Sequence, residues 1–188
     1  MTRNDALKIV NEYVKNQNLV KHILAVEAAM AAYAKKFGED EERYRIAGLL
    51  HDFDWEIHPT VPDHPTKGSE ILRKIGVDEE MINTILSHAS FTSVPRDTLI
   101  AKTLFACDEI TGLITTVALV RPSKSILDVE VSSIKKKFKE KSFAAGVNRE
   151  EVEQGARELG IDLWTEHVPV VLKTMQSIAA ELGLVGSR

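Results

Sequence analysis

Six side chains of types able to bind divalent cations recur through the first part of this 188-residue chain: His22, the adjacent pair His51 and Asp52, then His64, His88 and Asp108. Imidazoles and carboxylates together suit one or two hard-to-borderline ions. Several of them interrupt apolar helical stripes. His22 shares a stripe with Val26, Ala29 and Tyr33, His88 follows Met81 and Ile85, and Asp108 continues a stripe through Ile100 and Leu104. A carboxylate on an apolar face without a partner costs several kcal/mol or takes up a proton, so Asp108 asks for a cation or strong hydrogen-bond donors. Consecutive helical residues point about 100° apart, so His51 and Asp52 cannot share one face, yet both can reach an ion lying beside a helix end. The chemistry this implies is metal-dependent hydrolysis.

Taken singly, each residue has a plainer role. A lone His on an apolar face is more often a hydrogen-bonded core residue than a ligand, and a lone inward Asp is often a cap or an ion-pair partner. The ordered company of six shifts the balance to metal binding. His58 and His167 fall outside the series and are assigned ordinary surface or capping roles.

Across roughly residues 18 to 120 the motif order resembles the HD superfamily of metal-dependent phosphohydrolases. Gly48-Leu49-Leu50-His51-Asp52 is similar to the signature helix end, and the segment from His64 to Leu72, with Gly68 four residues after His64, resembles the second histidine segment of HDIG-like members. Ile85 to His88 resembles the third segment, and Leu104 to Asp108 the closing aspartate. The resemblance implies an all-α helical bundle. It also implies that His22, His51, Asp52 and Asp108 hold a first ion and that His64 and His88 complete a second, with Asp52 bridging. In two-metal sites, ions roughly 3.5 to 4 Å apart clamp a phosphoryl group for in-line attack. His64 lies in the Pro-rich stretch Pro59 to Pro65, which leaves two orientations open, toward the ions or toward solvent.

The elements that must position these groups read as helical nearly throughout. Periodicity near 3.6 marks segments Asn4 to Lys15, Leu19 to Phe37, Glu41 to His51, Thr66 to Ile75, Asp78 to Ala89, Asp97 to Leu119, Val131 to Phe138, Arg149 to Leu159, and a last one ending near Leu182. Asn148 and Glu151 stand at capping-box spacing, Asp78 to Glu80 make an acidic first turn, and Gly38, Gly76, Gly160 and Gly183 sit where helices should stop. Pro169 implies a kink or a later start for the last helix. No Gly- or Ser-rich linker and no repeat breaks the chain, so residues 1–188 are read as one domain, a metal-site core at about 18–120 with a C-terminal helical extension at 121–188 packed against it. The segment Phe53 to Pro65, with Asp54, Trp55, Glu56 and its prolines, suits a stiff rim or lid beside the site.

Composition narrows the classes further. A chain of this length can bury roughly 70% of its unfolded surface without disulfide support. The single Cys107 cannot pair internally, and the longest uncharged run, Ile110 to Val120, is too short to span a bilayer. The polar amphipathic start carries no signal-peptide pattern, which makes the cytoplasm the expected compartment. Net charge is −4, from 24 basic and 28 acidic side chains, so no strong nucleic-acid or membrane signal exists. Lys135, Lys136, Lys137, Lys139 and Lys141 read as a solvated helix face.

The expected reaction is hydrolysis of a phosphomonoester or phosphodiester, with a small phosphate ester or nucleotide as substrate. One or two divalent ions (Mn, Fe, Mg, Co, Ni or Zn) would act as cofactor. Asp52, Asp108 and Asp54 are the candidate catalytic carboxylates, although ligand status makes Asp108 the poorer base. Lys67, three residues beyond His64, and Arg121 with Lys124 are candidate phosphate contacts, each with a surface role as the alternative. Trp55 and Phe91 could meet a nucleobase. No Gly-x-Ser-x-Gly elbow, phosphate-binding Gly loop or Cys-x-x-Cys pair is present. A noncatalytic nucleotide- or partner-binding module, a diiron HD-like oxygenase and a homo-oligomer all stay open.

Overall fold

In the computed structural model, which describes residues 1–186, nine α-helices follow one another. They are α1 (Arg3–Tyr13), α2 (Gln17–Phe37), α3 (Glu41–Leu50), α4 (Asp63–Lys74), α5 (Glu79–Ser87), α6 (Leu99–Leu119), α7 (Val131–Phe138), α8 (Arg149–Glu158) and α9 (Val168–Ser177). No strand forms among the described residues; a single antiparallel bridge joins Ser125 and Val185. The all-α expectation holds.

Helix starts follow local chemistry. Thr2 and Asp5 close a reciprocal capping box on α1, while Asn16, Asp40, Asp78 and Thr98 each accept backbone N–H groups from the first turn of the following helix. Thr98 rather than Asp97 therefore sets the start of α6. The Asn148–Glu151 box is only half formed. Asn148 accepts from Glu150 and Glu151 N–H, but its own N–H goes to Glu109 at 3.0 Å and Glu151 accepts from Ser90 Oγ at 2.7 Å. Pro169 resolves as a delayed start, lying in the first turn of α9 after a π-helical turn over Leu163–His167. Beyond Ser177 the chain runs on in turns to Gly183, whose φ of 67° lets Leu184 N–H reach the Ala179 carbonyl at 2.8 Å, so the last α-helix ends before Leu182.

The long helices α2 and α6 form the middle of the bundle, with α3 and α9 against α2 and α8 against α6. One hydrophobic cluster runs from Ala6 through Tyr33, Leu50, Leu104 and Ile114 to Val171 and Leu184, so helices from both ends of the chain share a core. The α2–α3 contact depends on Gly48. A Cβ there would lie 2.7 Å from Glu27 Cα, so only glycine lets the backbones approach this closely. The same approach buries Glu27, 2% exposed, whose carboxylate is held by Arg3 and by Arg45 at 3.1 Å. His167 departs from its expected surface or capping role. It is fully buried, with Nδ1 2.6 Å from Tyr33 Oη and its Nε2–H donating to the Ala106 carbonyl at 2.8 Å, which ties α9 to α2 and α6. Burial drives its pKa down to about 4. His58 is half-buried, at the rim.

Candidate metal centre

Each of the six imidazole and carboxylate groups is delivered by a helix or a helix end. His22 sits in the second turn of α2, His51 and His88 cap the C-termini of α3 and α5, and Asp108 lies midway along α6. The C-terminal caps place two imidazoles at the negative ends of helix dipoles, a favourable setting for a cation. His64 precedes Pro65, which disfavours helical backbone at that position. Its φ of −81° and ψ of 136° turn the ring inward, leaving it 4% exposed. The solvent-facing alternative is thereby excluded.

The groups form two triads, His22 with His51 and Asp108, and Asp52 with His64 and His88, the ligand atoms of each lying within 4.8 Å of one another. Asp52 joins them. Its Oδ2 is 3.6 Å from both His22 Nε2 and His51 Nε2, while its Oδ1 is 3.2 Å from His64 Nε2 and 3.5 Å from His88 Nε2. Asp108 Oδ1 lies 3.0 Å from His22 Nε2 and 3.6 Å from His51 Nε2.

The second nitrogen of every ring shows why this set fits a cation. His51 Nδ1–H donates to the Gly48 carbonyl at 2.8 Å, and His88 Nδ1–H to the Ile85 carbonyl at 2.5 Å, the same backward reach onto the last helical turn in both cases. His64 Nδ1–H donates to Asp54 Oδ1 at 2.7 Å. Thr111 Oγ1 donates to the Asp108 carbonyl at 2.7 Å, which leaves its lone pairs for His22 Nδ1–H at 3.4 Å. With its proton kept on Nδ1, each ring can turn the Nε2 lone pair to a cation in the site. The Nε2 atoms of His22 and His51 are 3.3 Å apart, as are those of His64 and His88. Lone pairs at that distance repel unless a proton or a cation lies between them, and outer partners on Nδ1 are the usual companions of metal-binding histidines.

Electrostatics agree. Burial penalises the Asp52 and Asp108 carboxylates, yet the surrounding imidazoles win and hold both well below the usual range. Burial also opposes charge on His64, but Asp52 and Asp54 together lift its pKa to about 9. The cluster carries fixed negative charge and attracts positive charge.

A cavity of about 360 Å³ opens over the two triads, walled by Trp55, Val61, Phe91, Glu109, Gly112 and Glu151. Trp55 and His64 meet in a T-shaped pair, ring centroids 4.9 Å apart. The expected rim holds in part: Phe53 and Asp54 are fully buried and anchor the segment, while Trp55 and Val61 stand out at its edge.

Other sequence-level candidates sit elsewhere. Asp54 is behind His64, accepting from His64 and from Gly68 N–H at 2.9 Å, so it positions the ring and does not face the cavity. Gly68 is needed for this, because a Cβ there would stand 2.4 Å from Asp54 Cγ. Lys67 pairs with Asp63 at 3.1 Å on the surface. Arg121 is thirteen residues beyond Asp108, about 20 Å along the axis at helical rise, and lines a separate depression with Ser133, Lys136 and Glu140, while Lys124 is exposed. None of the three lines the cavity.

Glu109 was not anticipated. Burial first, then the neighbouring Asp108, pushes its pKa up to about 7, and its Oε2 accepts from Asn148 N–H. Its position beside Asp108 was the only sequence signal, since adjacent helical residues face different ways.

Comparison with known proteins agrees with the geometry. The HD domain family matches residues 19–113. Among curated proteins the chain is similar to ribonuclease Y of Oleidesulfovibrio alaskensis, 30% identical over 98 residues, which is 52% of this chain and 18% of that protein. Ribonuclease Y of Nitratidesulfovibrio vulgaris is 28% identical over 156 residues, 81% of this chain and 28% of that protein. Ribonuclease Y of Pseudothermotoga lettingae is 37% identical over 73 residues, 38% of this chain and 14% of that protein. The chain thus spans less than a third of the length of these relatives. No solved structure matches it. With half of its length matched around a His/Asp cluster able to hold divalent ions, the chain belongs to the HD-domain family of the metal-dependent phosphohydrolase superfamily.

Proposed function

We propose that the protein hydrolyses a phosphomonoester or phosphodiester of nucleotide type at a pair of divalent ions. The observation that carries this reading is the split orientation of Asp52, one oxygen toward each triad, which suits a carboxylate shared by two ions. His22, His51 and Asp108 would hold one ion, and His64 and His88 the other. Divalent ions held there would supply positive charge for the phosphoryl oxygens and lower the pKa of water toward neutrality.

The chain's own groups divide the remaining work. Asp52 and Asp108 are strongly acidified and serve as ligands, which leaves Glu109, in the cavity but outside both triads, to hold or move a proton. Trp55 and Phe91, 42% and 43% exposed at the mouth, offer ring surfaces to an organic group. No Lys or Arg lines the cavity among the described residues, so phosphate charge would be met by the ions, which favours a compact ester over a long polyanion. The helices beyond residue 120 belong to the same domain in this reading, since Gly146 and Glu151 complete the cavity wall.

RNA cleavage is the second reading, favoured by the similarity to proteins named ribonuclease Y. The test is metal analysis of the purified protein with product release from nucleotides, p-nitrophenyl esters and an RNA oligonucleotide, in Mn²⁺, Mg²⁺ and other ions. Release lost in both His51→Ala and Asp52→Ala is the expected result. Activity that survives either change, or that demands iron and oxygen, defeats the proposal.

A further inference from the structure

A second cavity, of about 280 Å³, lies on the other side of His22 from the rim formed by Trp55 and Phe91, and both cavities share His22 and Gly112. Gly112 is the saddle between them. A Cβ built there meets nothing within 4 Å, so the absent side chain leaves open space where the two volumes join. The second cavity has a mixed character. Leu119, Leu182 and Leu184 give it an apolar side, while Asn18, Lys21 and Thr115 give it polar groups.

Lys21 is the informative member. Among the described residues its side-chain amine has no carboxylate within ion-pairing distance and makes no hydrogen bond, although ion-paired lysines occur elsewhere on the surface. Its amine crosses the Gly183 turn, where a Cβ would approach Nζ to 2.8 Å, so the glycine leaves room for the amine at the cavity wall. The amine of this half-buried residue, without a partner among the described residues and in one cavity with an amide and a hydroxyl, is a setting for an anion. Among the described residues no Lys or Arg lines the metal-centre cavity.

We infer that the second cavity is a recognition subsite for the organic part of the substrate, and that Lys21 binds a second anionic group carried on it. This rests on the phosphoester reading above and deepens it. The substrate class becomes a phosphoester whose organic part passes over Gly112, lays its apolar surface on the leucines and ends in a phosphate or carboxylate. Lys21 selects for that second charge.

The probes are thymidine dinucleotides with and without a 5′-phosphate, titrated calorimetrically into manganese-loaded protein. The wild-type chain should prefer the 5′-phosphorylated form by about tenfold, and Lys21→Ala should erase that preference while the manganese stoichiometry stays as in the wild type. Gly112→Leu should weaken both dinucleotides by closing the saddle. Succinate in place of the 5′-phosphate, attached as a 5′-hemisuccinate, distinguishes a general anion subsite from a phosphate-selective one. Equal weakening of both dinucleotides by Lys21→Ala, or no change, overturns the inference, as does undiminished binding in Gly112→Leu. Hydrolysis of bis(p-nitrophenyl) phosphate by the wild-type chain is read separately. If that is absent while the Lys21-dependent preference persists, the hydrolase reading fails and the subsite stands; if hydrolysis occurs without the preference, the subsite fails and the hydrolase reading stands.

Discussion

Replacing Asp54 by asparagine should loosen one ion of the pair and spare the other. Asp54 is fully buried and accepts two hydrogen bonds, from His64 Nδ1–H at 2.7 Å and from Gly68 N–H at 2.9 Å. Asparagine matches its size but has one acceptor oxygen. If that oxygen keeps His64, the new NH₂ faces the Gly68 N–H, donor against donor. If it keeps Gly68, the NH₂ faces His64 Nδ1 and favours the tautomer with the proton on Nε2, the atom aimed at the ion. Either arrangement also removes the negative charge behind the imidazole. Outer partners of this kind are worth about ten- to a hundredfold in metal affinity, or about 1.4 to 2.8 kcal/mol. His22, His51 and Asp108 do not touch Asp54, so their ion should bind nearly as before. Manganese titration of chelator-treated protein, followed by calorimetry or electron paramagnetic resonance, should show a strong step unchanged and a second step weakened in Asp54→Asn. Equal weakening of both steps, or of neither, refutes the argument from His64 orientation.

Glu109→Gln should retain both ions yet lose product release by at least tenfold, with kcat falling more than KM rises, if the carboxyl moves a proton; metal analysis beside steady-state kinetics checks this. His167 makes the apo protein acid-sensitive in a defined window. Its imidazole titrates near 6.5 when unfolded and near 4 when folded, so the unfolded chain takes up the proton first, and on the order of 3 kcal/mol of stability is lost as pH falls from 6.5 to 4. Urea midpoints at pH 7 and 4.5 should converge in His167→Gln, which offers uncharged partners to Tyr33 and Ala106, and parallel slopes would contradict the assignment. Gly48→Ala should cost about 1 to 3 kcal/mol by forcing α2 from α3, read as a lower thermal midpoint, and no change would show that the helices separate freely.

The helical order and the six clustered groups were legible because they leave periodic signals: apolar stripes interrupted by His22, His88 and Asp108, and a capping residue before most helices. Orientation was less legible. Whether His64 turned inward depended on Pro65 and on the buried Asp54, which the sequence offers as a candidate catalytic carboxylate and not as the partner of His64. Lys67 and Arg121 drew attention through nearness along the chain, but an ion pair with Asp63 occupies one and the length of α6 carries the other away. The burial of His167 had no local sign, because its partners Tyr33 and Ala106 lie more than sixty residues distant. Glu109 escaped for a related reason: the stripe that marks Asp108 excludes its neighbour, and only the return of the 146–151 segment encloses it.

The six clustered side chains come from α2, the ends of α3 and α5, the start of α4 and the middle of α6, a span of 87 positions in the chain. A cation gripping them would pin five remote stretches of polypeptide at one point, as a multi-armed staple does. Since the unfolded polypeptide cannot present that grip, free ion at a hundred times its dissociation constant adds about 2.7 kcal/mol to the folded form. Scarcity of the ion would then thin the folded population as well as silence the chemistry, so survival against proteolysis would track metal supply.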